Sequence, residues 1–121
     1  MSFLEDLEKN RRTKAQVREE QKRVRAEHKE KLEEDIARKA LEIVADYKKY
    51  CLWQVNDGKR IIKWRYTLYV RDRDLVPLDK TYRITAEVIK RELEKEGFRR
   101  YILSLTKKNE TTGDISIIAY V

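Results

Sequence analysis

This sequence has few of the residues on which most catalytic and metal sites depend. It contains one histidine, His28, and one cysteine, Cys51, and no second residue of either kind supports them. A His-based zinc site or a Cys–His nucleophile would therefore lack partners. The sequence also has no glycine-rich phosphate loop and no G-x-S-x-G motif. We expect a non-enzymatic protein without a cofactor, with His28 solvated on a helix and Cys51 buried in a strand.

Clustered aspartates are the only other candidate for metal chemistry. Asp72 and Asp74 form a D-x-D pair, and Asp79 follows them. Carboxylates in such a group could hold Mg²⁺. Arg71 and Arg73 alternate with the aspartates, which is typical of a surface loop that neutralises its own charge. We therefore predict no metal ligand here.

Disulfides and long apolar runs are also absent. A single cysteine excludes an intramolecular disulfide, which favours an intracellular, cytoplasmic location. No apolar run approaches the roughly 20 residues of a membrane-spanning helix, so we expect no membrane partner. Phe3-Leu4 is followed at once by Glu5-Asp6, which does not match the apolar region of a signal peptide.

Charge dominates what is present. Charged residues make up 42% of the 121 residues, and the formal net charge is +7. Residues 51–121 carry most of that excess, which favours a polyanionic partner. The chain is also poor in asparagine and glutamine, as thermophilic proteins are. This composition has two explanations: a thermophilic source, cellular or viral, or an ordinary Lys/Glu-rich helical protein.

Residues 1–31 predict a polar, basic helical arm, with a break near Asn10–Thr13 because both residues compete with helical hydrogen bonds. Lys9–Arg25 contains eight basic residues, and its few apolar positions include Val17 and Val24, one heptad apart. Three interpretations stay open for this segment. It could follow a nucleic-acid backbone, dock on a protein or a second copy, or be a solvated helix without a role.

Residues 32–121 predict an α+β domain, with helix 32–49 packed on a sheet formed from residues 50–121. Leu32, Ile36, Ala40, Ile43 and Tyr47 form one helical stripe. The residues that follow predict a β-hairpin from three patterns: strand formers at 50–55, turn residues at 56–58, and apolar–polar alternation over 60–71.

The second half of the domain predicts a loop over 72–84, a short helix and another hairpin. Thr85 is the expected N-cap of the helix, and Gly97 its C′ residue. Two further strands are predicted at 99–107 and 115–121, joined by a polar turn. The expected fold is a long N-terminal helix, a β-hairpin, a short helix and a second β-hairpin, which together form one four-stranded sheet with helices on one face.

The alternation over residues 60–71 assigns the two faces of the first long strand. Ile62, Trp64, Tyr66, Leu68 and Val70 should face the helices, with Trp64 buried. The other face then carries basic and aromatic side chains, a pattern that can contact phosphates and stack bases. It is also a pattern that serves solubility alone. Isoleucines 61, 102 and 118 on that same face indicate an interface instead.

The function that we predict is a small, basic, non-enzymatic nucleic-acid-binding protein, with DNA and RNA both open. Its expected contact residues are Lys63, Arg65, Tyr69, Arg71 and Arg100 on the sheet, and Arg11, Arg12, Arg18 and Arg23 on the N-terminal helix. The alternative is a protein-interaction or inhibitor module, of a kind encoded by viruses and mobile elements, that docks through its N-terminal helix. A homodimer fits both hypotheses.

Overall fold

The computed structural model describes residues 2–9, 11 and 13–121. Its elements in chain order are α1 (Phe3–Lys9), α2 (Lys14–Asn56), β1 (Ile61–Tyr69), α3 (Leu78–Lys95), β2 (Arg100–Lys107) and β3 (Thr112–Tyr120). The predicted α+β class and the long N-terminal helix are confirmed. The predicted four-stranded sheet is wrong, because the sheet has three antiparallel strands in the order β1-β3-β2.

The chain divides into two compact units, residues 1–31 and residues 32–121, which we call the N-terminal unit and the core unit. In the N-terminal unit, Thr13 begins α2 with a capping box. The Thr13 hydroxyl accepts a hydrogen bond from the Gln16 backbone N–H (3.2 Å), and the Gln16 side chain accepts one from the Thr13 N–H (3.1 Å). The predicted helix break therefore has a physical basis at Thr13, whereas Asn10 lies outside the described residues.

Residues 50–55, which we predicted as one of the four strands, form the C-terminal part of α2. Cys51 therefore lies in a helix, where it continues the buried stripe one turn after Tyr47. Gly58, two residues after the end of α2, has a φ of +84° and serves as its C′ residue. The Gly58 N–H donates to Val55 O (2.9 Å) and the Lys59 N–H donates to Gln54 O (3.1 Å), so a Schellman motif stands where we predicted a hairpin turn.

The helix α3 begins eight residues earlier than predicted. α3 starts at Leu78, directly after Pro77, so Thr85 is not an N-cap. The Thr85 side chain is buried in the middle of the helix, and its hydroxyl donates to the Thr81 carbonyl (2.8 Å). The predicted C-terminus is confirmed, since the Phe98 N–H donates to Leu93 O (3.0 Å) around a Gly97 with positive φ.

Both helices of the core unit pack on the same face of the sheet. Tyr47 of α2 lies at the centre of this core, and its hydroxyl donates to the Ile62 carbonyl (3.2 Å). The other fully buried members are Ile43, Ile62, Ile89, Leu93, Ile115, Ile117 and Ala119. Trp64 lies on the predicted face but is only partly buried, with its ring 5.6 Å from that of Tyr47. The predicted face assignment of β1 is therefore confirmed, and the prediction that Trp64 is buried is wrong.

Candidate nucleic-acid interface

The second face of the sheet is exposed or partly exposed at every position except Asp114. We call this surface the open face. Its side chains alternate with the core residues along each strand. It consists of Ile61, Lys63, Arg65, Thr67 and Tyr69 from β1, Arg100, Ile102, Ser104 and Thr106 from β2, and Thr112, Asp114, Ser116, Ile118 and Tyr120 from β3.

Basic side chains occupy both edges of the open face. Lys63 and Arg65 lie on β1, and Arg100 lies on β2, two strands away. Neighbouring strands are about 4.8 Å apart, so the two basic edges are separated by about 10 Å. The ion pairs found between described residues do not involve Lys63, Arg65 or Arg100. All three residues are exposed, so their charges are accessible to an anionic ligand.

Two exposed tyrosines lie at opposite ends of the open face. Tyr69 ends β1 and is 74% exposed, while Tyr120 ends β3 and is 41% exposed. Tyr120 pairs across the sheet with Ile61, eight residues before Tyr69, which places the two residues about 26 Å apart along the strands. The Arg100 guanidinium lies 5.3 Å from the centre of the Tyr120 ring, so a cation already covers part of that ring.

Apolar side chains accompany the basic residues at the Tyr120 end. Ile61 and Ile102 are about half exposed, and Ile118 lies between Lys63 and Ile102 in the register. The middle of the face is small and polar, since Arg65 lies beside two serines, 116 and 104. The open face is thus a mixed apolar and basic surface at one end and a polar surface at the other.

Asp114 is a buried carboxylate in the open face that the sequence pattern did not reveal, because we assigned it to a polar turn. Its side chain is 5% exposed. The Thr67 hydroxyl donates to it at 2.8 Å, and the Lys108 ammonium lies 3.3 Å away. The Thr67 hydrogen bond is the main cause that lowers the pKa of Asp114, and Lys108 adds to it against the opposing effect of burial.

This geometry predicts an acid-sensitive fold. A carboxyl whose pKa is lowered by folding stabilises the fold above its unfolded pKa, and this contribution is lost as the pH falls through the folded pKa. We therefore expect the free energy of unfolding to fall below about pH 4, the ordinary range of an aspartate. Thr67→Val should weaken this pH dependence. Urea unfolding measured at steps between pH 6 and pH 2.5 would show the difference.

A threonine on the other side of Asp114 provides the control. Thr106 pairs with Asp114 on β2, so Thr106→Val removes a hydroxyl from the same face without removing the 2.8 Å hydrogen bond. Thr106→Val should keep the pH dependence of the parent chain. Equal pH profiles for the two valine variants would contradict the assignment.

Four of the predicted contact residues that the structure describes do not belong to the open face. Arg71 follows β1, and its guanidinium lies 3.4 Å from the Asp35 carboxylate of α2. Arg11, Arg18 and Arg23 are exposed in the N-terminal unit. Arg18 and Arg23 are five residues apart on a helix, so they point about 140° away from one another. Arg12 lies outside the described residues. Of the nine predicted residues, Lys63, Arg65, Tyr69 and Arg100 share one face of the sheet, with Tyr69 and Arg100 at its opposite ends.

Two residues considered for catalysis or metal binding, Cys51 and Asp72, have roles within the fold. Cys51 is buried, and this burial raises the pKa of its thiol. The Asp72 carboxylate accepts the backbone N–H groups of Asp74 and Leu75 in its own loop. Over the described part of the chain there is no cluster of three or more metal-ligating side chains. Within the same part, no helix is both long and apolar enough to cross a membrane.

No protein-family model, curated protein or solved structure shows significant similarity to this chain.

Proposed function

We propose that this protein binds single-stranded nucleic acid on the open face of its sheet. The observation that carries the proposal is the combination on one face of Lys63, Arg65 and Arg100 with the exposed rings of Tyr69 and Tyr120. Single-strand binders combine a basic surface that follows the backbone with aromatic rings on which bases stack. The overall charge of +7 supports a polyanionic ligand.

The distribution of side chains supports specific roles. Lys63 and Arg65 lie two residues apart on one edge strand, about 7 Å along the strand, and can contact neighbouring phosphates. The isoleucines beside Tyr120 supply apolar surface for a base or a sugar. Arginine residues of the N-terminal unit, 11, 18 and 23, add charge that is independent of base sequence.

The test is a salt titration of binding. Fluorescence anisotropy with a labelled 12-nucleotide single strand, of DNA and of RNA, should show an affinity that falls steeply with salt. Arg65→Ala removes one phosphate contact, so the slope of log K against log salt should decrease by about 0.7. The effect should be similar for different base sequences, because a phosphate contact carries no sequence information.

Arg91→Ala is the matched control. Arg91 is an exposed arginine of α3, on the helical side of the sheet, and its removal changes the net charge by the same amount. It should leave the slope unchanged. Equal effects of Arg65→Ala and Arg91→Ala would mean that general charge, and not the open face, drives binding. A lack of binding to every strand at low salt would reject the proposal.

One observation favours a protein partner as a second candidate function. α1 exposes Phe3, Leu4 and Leu7, all of them more than half accessible. Apolar side chains on a short exposed helix are a common docking element for another protein. A chain that binds no oligonucleotide but forms dimers, or complexes that Leu4→Ala weakens, would support this second function.

A further inference from the structure

A cavity of about 530 Å³ opens beside the edge of the sheet, in the core unit. Its walls come from α2, the end of β1, the loop after β1 and the first turns of α3. Its apolar surface comes from Leu32, Ile36, Ile43, Leu68 and Val76. This volume lies within the range of sites that bury a ligand.

Four consecutive residues of β1, 66 to 69, line this cavity. Tyr66 and Leu68 point to the helical side of the sheet, whereas Thr67 and Tyr69 belong to the open face. Residues from both faces can line one cavity only where it runs along the edge of the strand. The cavity therefore follows the edge of β1 over about 10 Å.

The hydrogen-bond pattern shows which backbone groups face that edge. The Val70 N–H donates to Thr111 O (2.8 Å), and the Val121 N–H donates to Arg60 O (2.9 Å). These bonds place the even-numbered residues of β1 in hydrogen-bonded pairs with β3. In an antiparallel pair the alternate residues direct their N–H and C=O groups away from the partner strand. Thr67 and Tyr69 therefore direct their backbone groups to the free edge, next to the cavity.

We propose that this edge is a docking site for an extended peptide of a partner protein, which adds a fourth strand beside β1. An added strand satisfies the edge groups of Thr67 and Tyr69, and its alternate side chains enter the cavity. Such side chains lie opposite Tyr66 and Leu68 and should be apolar. The side chains that alternate with them lie on the open-face side, and the one opposite Arg65 should be acidic, because opposite charges across a strand pair stabilise it.

The rim of the cavity supports a ligand that relies on apolar and backbone contacts. Five of its six charged side chains are paired with one another: Arg38 with Asp35 (2.6 Å), Lys39 with Glu42 (3.2 Å) and Arg71 with Asp35 (3.4 Å). The sixth, Asp72, accepts backbone N–H groups of its own loop. A second copy of β1 fits less well. Antiparallel pairing of two full β1 strands places Arg65 opposite its own copy, and like charges directly opposite are destabilising.

The probe is a library of acetylated octapeptides with apolar residues at alternate positions and Glu or Thr between them. Binding of enriched peptides, resynthesised and measured by isothermal titration, should weaken at least about tenfold in Tyr69→Pro. Proline removes the N–H that the added strand needs, and its ring obstructs the edge. A peptide N-methylated at the amides facing β1 should lose binding, while methylation of the opposite amides should be tolerated.

Two variants separate backbone pairing from other causes. Tyr69→Ala removes the same ring, which lines the cavity, but keeps the N–H, so peptide binding should fall clearly less than in Tyr69→Pro. Lys107→Pro changes the last residue of β2, whose N–H faces the other edge because the Lys108 N–H pairs with Thr112 O. It should also leave binding intact, and thermal melting should confirm that both proline variants fold.

Several outcomes would overturn the proposal. These are a library with no enrichment over a scrambled one, equal losses in Tyr69→Pro and Lys107→Pro, or a dimer in ultracentrifugation that Tyr69→Pro dissociates. The last result would assign the edge to a second copy. A further experiment adds an oligonucleotide as a competitor of the bound peptide. If it displaces the peptide equally well from the parent chain and from the Arg65→Ala chain, the cavity is assigned to nucleic acid. The edge site shares Arg65 and Tyr69 with the open face but depends on the backbone groups of β1, so a chain can fail either test and pass the other.

Discussion

Tyr47→Ala is expected to destabilise the core unit by about 3–5 kcal/mol, the range for a large buried aromatic residue. Tyr47 is 0% exposed, and its ring lies 5.6 Å from that of Trp64 and 6.3 Å from that of Phe98. It therefore joins α2 to the sheet and to the segment after α3. Truncation leaves a cavity that three separate elements would have to close. Urea unfolding at neutral pH gives the free energy directly.

Two variants distinguish the contribution of the Tyr47 ring to stability from that of its hydroxyl, and from the effect of removing any aromatic residue. Tyr47→Phe keeps the ring and loses only the hydrogen bond to Ile62 O, so it should cost about 1 kcal/mol. The hydroxyl is a dependable donor because burial raises the pKa of Tyr47. Trp53→Ala removes an aromatic residue of the same helix that is 69% exposed, and it should change stability by less than about 0.5 kcal/mol. A cost for Tyr47→Ala below that of Trp53→Ala would place the core elsewhere.

The end of α2 shows why a strand could be predicted where a helix forms. Residues 50–55 are rich in aromatic and β-branched types, and local propensity alone favours a strand. Propensity is a weak prior when a buried stripe continues across the segment. Tyr47 and Cys51 are one turn apart and both buried, whereas Leu52 and Trp53 remain exposed, so apolar content was not a guide to burial here. The Asn-Asp-Gly sequence that suits a hairpin also suits a helix C-terminus.

The start of α3 was predicted wrongly because polar residues occupy positions of its buried stripe. Thr81 and Thr85 occupy core-facing positions. The Thr81 hydroxyl donates to Val76 O in the loop before α3, and the Thr85 hydroxyl donates to Thr81 O one turn earlier. Threonine with this local bonding resembles a cap in the sequence. The strands of the second hairpin were predictable because their alternation is regular, and so were the Gly97 terminus and the class of fold.

The candidate site was predictable in part. Period-two alternation fixes which residues of one strand share a face, and this placed Lys63, Arg65 and Tyr69 together. It does not reveal which strands are neighbours, so the opposition of Arg100 to Tyr120 needed the structure. Asp114 was missed because a carboxylate between Gly113 and a strand has the pattern of a turn. That these residues bind nucleic acid stays a prediction.

Removal of residues 1–28 is expected to leave the fold intact and to reduce nucleic-acid affinity about tenfold or more. Among the described residues, every buried one lies between Leu32 and Ala119, so the deletion leaves the core complete. It does remove Arg11, Arg18 and Arg23. Each phosphate that these arginines no longer neutralise lowers both the affinity at moderate salt and the salt slope. The melting temperature should change little, because the deleted segment buries few apolar groups.

The comparison that decides this prediction uses a full-length chain with Arg11, Arg18 and Arg23 changed to glutamine. It keeps the helix and removes only three charges. If charge is the cause, this variant and the truncated chain should lose similar affinity, and both should retain binding that depends on Arg65. If the truncated chain aggregates or melts at a much lower temperature while the glutamine variant is stable, the N-terminal residues cover apolar surface instead. Thermal melting, size-exclusion chromatography and the salt titration on the same three proteins distinguish these results.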